Sequence, residues 1–418
     1  KPLWGYVNEA DPYIMEMEIE AATDHGVNVF IYDWYWYDNR PFLENCLNDG
    51  FLKAKNHEKM KFYLMWANHD AMVSWDRRNS HMAGEVLWDG KVNFEQFQTI
   101  GKRWIEQYFN LSCYYRIDNK PVVSIYDTAN FVNGLGGAEK AQEALSWLQE
   151  EAKKAGLPGV HIQMVKWGND KMNLSGVDGS SMEMTAIEAM KVLGFDSCTH
   201  YQYIHYTDID RDYDEIMPDV LKEWKYTRES LETEFYPHVT IGWDCNPRHF
   251  EFKDFVMKNN GPEKFEGALI EAKAYSDTYN KVPLITINSW NEWTETSYLE
   301  PDNLHGYADG QVLKKFPDSK CEWLEWTGEK VEIRSYNEFN TFCRDEMQFF
   351  IDYTYEGYRK GLLQEAWNYV TGFFSDEVGF LNGHGVSANK GGIPWCEEVR
   401  ERYKKLYHKD ICEQWHPL

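Results

Sequence analysis

Leu284-Ile285-Thr286-Ile287-Asn288 runs straight into Ser289-Trp290-Asn291-Glu292-Trp293-Thr294-Glu295. The first five residues form a short, β-branched, mostly apolar run, which reads as a buried strand. The next seven carry two carboxylates and two tryptophans, so polar chemistry begins where the strand stops. Upstream, short apolar runs alternate with longer amphipathic ones. Strands are expected at Leu3–Val7, Val27–Asp33, Lys61–Trp66, Pro121–Tyr126, Val160–Val165, Phe195–His200 and His238–Trp243. Helices are expected over Tyr13–Asp24, Pro41–Lys55, Phe94–Phe109, Ala138–Ala155, Asp214–Leu231 and Glu263–Tyr279, with a weak one after Val165. Leu284–Asn288 is then the eighth strand. Eight strand–helix units fit a closed parallel barrel of about 250 residues plus insertions. An open doubly wound sheet would want a Gly-rich loop after its first strand. The sequence there is Asn8-Glu9-Ala10-Asp11-Pro12. The expected fold class is therefore α/β: a (β/α)8 TIM-type barrel over residues 1–314, with a C-terminal α+β extension over 315–418.

The bulk composition narrows the partners. A net charge of −25 repels phosphate backbones, which argues against nucleic acid. No run of eighteen apolar residues is present, so no membrane span is expected. Aromatic residues reach 16%, with 18 Trp and 27 Tyr, and their flat faces suit the C–H faces of sugar rings. The eight cysteines are scattered without zinc spacing, and the redox compartment stays open. No signal peptide is visible in the chain. For a carbohydrate-acting protein the expected location is secreted, periplasmic or cell-surface.

Barrel chemistry sits where strands end. The strand ends read Asp33-Trp34-Tyr35-Trp36-Tyr37, Trp66-Ala67-Asn68-His69-Asp70, Tyr126-Asp127, Lys166-Trp167, His200-Tyr201 and Trp243-Asp244. Together they describe a cleft for a carbohydrate. Glycosidic cleavage needs two carboxyl groups in different protonation states. Glu292 and Glu295, on one face of a turn and flanked by Trp290 and Trp293, supply such a pair. Candidate substrate-binding residues are Asp33, Trp34, Trp36, Trp66, Asn68, His69, Tyr126, His200, Trp243, Asp244, Arg248, Asn291 and Trp293. Strand alternation lets only two of the four aromatics after Asp33 face the cleft. Asp244 and Arg248 read equally well as an ion pair beneath the site or as direct binders. His69 and His200 are expected to hydrogen-bond substrate.

The run Ile287–Pro301 resembles the N-E-W-x-E-[GT]-x-x-[IL]-E-P signature of glycoside hydrolase family 99 and the WbsX-like group. Trp66-Ala67-Asn68, Tyr114–Val122 and Gly242-Trp243-Asp244-Cys245-Asn246-Pro247-Arg248 are similar to further segments of that group, in the same order across residues 1–314. The resemblance implies a barrel without metal or organic cofactor, acting on a glycan with retention. It places the base at Glu292 and the acid at Glu295. The base draws the proton from a sugar 2-hydroxyl, whose oxygen attacks C1. The acid protonates the leaving oxygen, and water opens the epoxide-like intermediate. Thr294 stands where family 99 has His, so mannose specificity does not carry over.

Residues after Leu313 begin with a hairpin or linker over Lys314–Arg334. Phe339–Trp367 and Glu397–Tyr407 read as helices and Val370–Phe374 as a strand. The stretch around Gly372–Phe380 resembles a strand end of rhamnosidase-like barrels, which makes Glu377 a second carboxylate candidate. Two other functions compete with hydrolysis: a glycosyltransferase of surface-polysaccharide synthesis and a non-catalytic glycan-binding protein. The first would need a diphosphate site, and the second would not need both carboxylates.

Overall fold

The computed structural model describes residues 1–307 except 80, 83, 176–180, 250 and 305. Beyond these it describes the backbone of 321–326, 331–336 and 393–395 and a few residues of 400–408. The chain divides into two compact units, Lys1–Phe316 and Pro317–Leu418.

In the first unit, β1 (Val29–Tyr37), β2 (Lys61–Trp66), β3 (Lys120–Ile125), β4 (His161–Val165), β5 (Ser197–Thr199) and β6 (Glu234–Tyr236) pair in parallel, in that order. Pro237 has no N–H to give the ladder. Past it the strand resumes as His238–Thr240 and pairs in parallel with β7 (Thr286–Asn288). Helices α1 (Pro12–Asp24), α2 (Phe94–Trp104), α3 (Thr128–Leu135), α4 (Ala138–Lys154), α5 (Ala186–Leu193), α6 (Tyr213–Ser230) and α7 (Pro262–Tyr279) alternate with the strands. The fold is α/β of the TIM-barrel type, with seven parallel strand positions filled among the described residues.

Two sequence expectations are corrected. Leu3–Val7 is not a strand. Leu3 N–H donates to the Pro301 carbonyl at 2.8 Å, Pro2 bridges Asp302, and Gly5 turns the chain at φ 78°. Pro41–Lys55 is not one helix. Asp38 and Asn39, at φ 50° and 57°, make a hairpin turn that folds Arg40–Phe42 back onto β1, and short π and 3-10 turns follow. The weak helix expected after β4 is present as α5, reached through a hairpin of Met172–Ser175 against Ser181–Met184. Local turn chemistry overrides a weak helical period over Pro41–Lys55.

β1 sorts its side chains by parity. Trp34 is buried against Trp104 at 5.5 Å and donates its indole N–H to Glu44 at 2.7 Å. Trp36 stacks on Trp34 at 5.9 Å. Trp66, on β2, sits among Phe97, Trp104 and Phe131. These tryptophans glue the strands to the helical layer. Ile31, Asp33 and Tyr35, of the other parity, line a cavity of about 860 Å³ inside the barrel. The helices are closed by sequence signals: Asn93 with Gln96 forms a capping box for α2, and Thr185 with Glu188 forms one for α5.

The second unit contains Cys321–Trp326 antiparallel to Val331–Tyr336, with Ile393–Trp395 joining the first strand. The helix read over Phe339–Trp367, the strand over Val370–Phe374 and Glu377 lie outside the described residues. No helix among the described residues is long and apolar enough to cross a membrane.

Candidate active site

The site stands on a buried polar floor. Gln202 donates to Asn288 Oδ1 at 2.9 Å and to Ser297 Oγ at 3.2 Å, and Ser297 Oγ donates to the Asn288 carbonyl at 2.7 Å. Ser289 Oγ bonds the Ser297 carbonyl at 2.7 Å and accepts from Glu292 N–H at 3.1 Å. This floor fixes the loop from β7 to a 3-10 turn over Trp293–Glu295, closed by Thr296 in the left-handed region at φ 54°. That conformation is unusual for a β-branched residue. Thr296 Oγ1 donates to the Asp244 carbonyl at 3.1 Å, which helps to hold it.

Arg248 joins the two glutamates. Its Nη1 is 2.7 Å from Glu295 Oε1, its Nη2 is 2.9 Å from Glu292 Oε1, and its Nε donates to Thr294 Oγ1 at 2.8 Å. Thr294 donates in turn to Glu292 Oε1 at 2.8 Å. Asp33 arrives from the middle of β1 and accepts from the Tyr201 hydroxyl at 3.3 Å. Burial pushes Glu295 up to about 7, with the Glu292 and Asp33 charges adding to the rise and Arg248 opposing it. Burial and the Glu292 charge likewise push Asp33 up to about 7. Near neutral pH this triad therefore holds both protonated and ionised carboxyls. The rim around it is aromatic. The His69 ring lies 5.3 Å from Trp75, 5.3 Å from Tyr126 and 5.9 Å from Tyr35, and Trp167 stacks on His205 at 5.0 Å. Burial holds His69 and His205 below the ordinary histidine range, which makes them neutral hydrogen-bonding groups at pH 7.

Of the residues read from sequence, Asp33, His69, Tyr126, Arg248, Glu292 and Glu295 come together at this rim. Trp34, Trp36 and Trp66 do not, because they face the helical layer. Asn68 is buried and spends its side chain on both backbone groups of Asp127, tying the ends of β2 and β3 together. His200 faces outward: Thr199 bonds Thr286 across the barrel interior at 2.7 Å, so position 200 turns to the other side. There His200 Nδ1 meets the Lys166 carbonyl at 2.7 Å. Trp243 is half-buried, and its buried indole N–H has no hydrogen-bond partner among the described residues. Asp244 does not pair with Arg248. It caps the following turn by accepting from Asn246 N–H at 2.9 Å. Asn291 is exposed and donates to Glu9 at 2.8 Å, while Trp293 donates to Glu300 and stacks on Tyr298 at 3.7 Å. Sequence reasoning missed Tyr35, Tyr201 and the clamp role of Thr294. Parity with Asp33 points to Tyr35, and parity with Thr199 points to Tyr201. No sequence signal pointed to Thr294 as a clamp.

Gly242 makes the close approach beneath this loop possible. A Cβ there would lie 2.2 Å from the Asn260 side-chain nitrogen and 2.8 Å from the Thr296 carbonyl oxygen. Gly242→Ala is expected to cost ~1–3 kcal/mol by overpacking and to lower activity in parallel. Thermal unfolding and turnover measured on the same preparation check this.

Beside the site, Glu9, Glu18 and Glu300 bring ligand atoms within 4.8 Å of one another. Burial, with Glu300 and Glu9 nearby, pushes Glu18 up to about 9. A raised carboxyl favours the folded state when protonated. Its contribution is complete below the unfolded value near 4.5 and is lost as pH rises toward 9. Glu18→Gln is expected to flatten that decline and raise stability at pH 8, as read by denaturant midpoints at pH 5 and pH 8.

Geometry defines the class: an α/β protein of the TIM-barrel type with a carboxylate-rich, aromatic mouth. The family model described as Glycosyltransferase WbsX matches residues 3–312, and the chain belongs to that family. Two curated relatives from Xanthomonas campestris pv. campestris strains, both called "Uncharacterized protein WxcX", are 23% identical over 333 residues. The match covers 76% of this chain and 44% of theirs, so the chain spans less than half of their length. Among solved structures, a "Glycoside hydrolase-like protein" superposes with a TM-score of 0.51 at 14% identity, over 75% of this chain and 88% of that one. A GH99 endo-alpha-mannosidase from Bacteroides thetaiotaomicron gives 0.47 at 15% identity, over 75% and 80%.

Proposed function

We propose that this protein is a glycoside hydrolase that cleaves glycosidic bonds within a complex glycan, working outside the cytoplasm. The observation that carries the reading is the pairing of Glu292 and Glu295 on one guanidinium, with burial pushing Glu295 up to about 7. Glu295 is the acid that gives its proton to the leaving oxygen. Glu292, held by Arg248 and Thr294, is the base. In the retaining course that the motif resemblance implies, Glu292 takes the 2-hydroxyl proton as that oxygen bonds to C1 and the C1–leaving-oxygen bond breaks. Water then attacks C1 as the bond between C1 and the 2-oxygen breaks; the water gives a proton to Glu295, and Glu292 returns its own to the 2-oxygen. Asp33, Tyr201, Tyr126 and His69 line the same rim and suit sugar hydroxyls and ring faces.

A second reading, transfer from a nucleotide sugar, is favoured by the family's description. A net charge of −25 works against binding a diphosphate. The test is a panel of glycans, with and without nucleotide sugars, screened for reducing-end release. Cleavage without a nucleotide sugar supports hydrolysis. Turnover only with one supports transfer, and binding without turnover leaves a lectin-like protein.

A further inference from the structure

A histidine, a glutamate and a cysteine converge at the end of the barrel opposite the mouth. We infer that His57, Glu58 and Cys113 form a binding site for a zinc ion. Its protein ligands are His57 Nε2, a Glu58 carboxylate oxygen and Cys113 Sγ, and solvent completes the tetrahedron.

The chain fixes the location. His57 and Glu58 sit on the 3-10 turn His57–Lys59, which leads into β2 at Lys61. Cys113 belongs to the segment that runs beside the first residues of β2. Phe62 N–H donates to the Cys113 carbonyl at 3.0 Å, and Tyr115 N–H donates to the Phe62 carbonyl at 2.7 Å. All three residues are therefore held at the start of β2, whereas Glu292 and Glu295 follow the end of β7. In a parallel barrel those are opposite faces, and the one at the strand starts serves stability.

The spacing suits a shared ion. The three ligand atoms lie within 4.8 Å of one another, and His57 Nε2 is 3.4 Å from Glu58 Oε1. Tetrahedral zinc, with bonds of about 2.0 Å to N and O and about 2.3 Å to S, holds its ligand atoms roughly 3.3–3.6 Å apart.

Each ligand is also prepared by its neighbours. His57 Nδ1 lies 2.7 Å from the Ala54 carbonyl. A carbonyl only accepts, so the proton of the neutral ring is on Nδ1 and the lone pair is on Nε2. Metal-binding imidazoles are held by the same kind of bond. Ser112 Oγ donates to Glu58 Oε1 at 2.7 Å and orients that carboxylate. Cys113 is a free thiol, 1% exposed, while Glu58 is exposed and opens the site to solvent. Lys61 spends its ammonium on the Ser112 carbonyl at 2.8 Å. Burial and the Glu58 charge hold the Cys113 thiol above its ordinary range, with Lys61 opposing, so zinc enters as the thiol proton leaves to solvent.

The donor set selects the ion. Calcium and magnesium take shells of oxygen, whereas a thiolate with an imidazole favours zinc. Bound there, zinc clips the turn that starts β2 to the segment that precedes β3.

Zinc titration in competition with a chromophoric chelator tests the inference on the 1–418 chain, beside Cys113→Ser, His57→Gln, Ser112→Ala and Cys46→Ser. Affinity is expected to fall at least ~100-fold in the first two and ~10-fold in Ser112→Ala, and to hold in Cys46→Ser. Cobalt(II) is expected to give a thiolate-to-metal absorption band in the near ultraviolet that Cys113→Ser removes. Zinc is expected to raise the Tm of the unaltered chain and not that of Cys113→Ser. Ser112 is exposed, so its variant keeps the test decisive should a ligand variant fail to fold. Unchanged zinc affinity in Ser112→Ala or in Cys113→Ser would overturn the inference, as would a cobalt band that survives Cys113→Ser. A chain that takes up no zinc would leave a His57–Glu58 ion pair beside a buried thiol and would overturn it too. Each readout is independent of hydrolysis.

Discussion

Glu295→Gln is expected to lower glycan cleavage by ~10³-fold, within the range that a positioned general acid contributes. The amide keeps the shape of the side chain and its contact with Arg248 but has no proton to give the leaving oxygen. A substrate with a good leaving group, such as an aryl glycoside of an acidic phenol, is expected to recover most of that loss, because its oxygen departs without protonation. Glu292→Gln is expected to be equally damaging on both substrates, because the missing base acts on the sugar itself. The pH profile follows from the same assignment. Glu295 must hold its proton, so the rate falls as pH rises through about 7, and that limb disappears in Glu295→Gln with the activated substrate. Rescue of Glu292→Gln but not of Glu295→Gln would reverse the assigned roles. Full activity in both would move the chemistry away from this pair.

The second large effect concerns stability and lies behind the rim. Lys166, at the end of β4, is buried and pairs with Glu223 of α6 at 2.5 Å. Asn169 donates to the same carboxylate at 2.7 Å and Thr227 donates at 3.0 Å. Lys166→Met leaves Glu223 charged and buried, at an expected cost of ~3–5 kcal/mol. In a unit of this size that lowers Tm by roughly 10 °C. The double variant Lys166→Met with Glu223→Leu is expected to regain most of the loss, since removing both charges removes the desolvation penalty. Thermal melts of the single and double variants decide the matter. A double variant no better than the single one would mean that the pair contributes specific packing that apolar side chains cannot replace.

The barrel was legible because its strands are short β-branched runs spaced by amphipathic helices, and seven of those runs are strands. Leu3–Val7 has the same composition. Its backbone is committed to Pro301 and Asp302, a pairing some three hundred residues away in the chain that no local pattern carries. The carboxylate pair was legible from spacing and neighbours. Its clamp was half legible: Arg248 was recognised, and its partner was read as Asp244, four residues away in sequence. The structure pairs it with Glu292 and Glu295, more than forty residues downstream. The tryptophans show why composition alone misleads. Asp33 faces in, so Trp34 and Trp36 must face out, and a residue type suited to sugar serves there as mortar between strand and helix.

That sorting of the tryptophans has an optical consequence. Trp34, Trp66 and Trp104 are sealed from solvent, so their emission belongs at short wavelength and their quenching by iodide or acrylamide should be slow. Trp75 and Trp167, exposed at 49% and 39%, border the mouth of the barrel and emit from a wet environment. A glycan entering the mouth should therefore blue-shift and shield the red-edge emission of Trp75 and Trp167 while leaving the emission of the sealed tryptophans untouched. The protein carries its own two-colour reporter, in which one band follows the ligand and the other follows the fold.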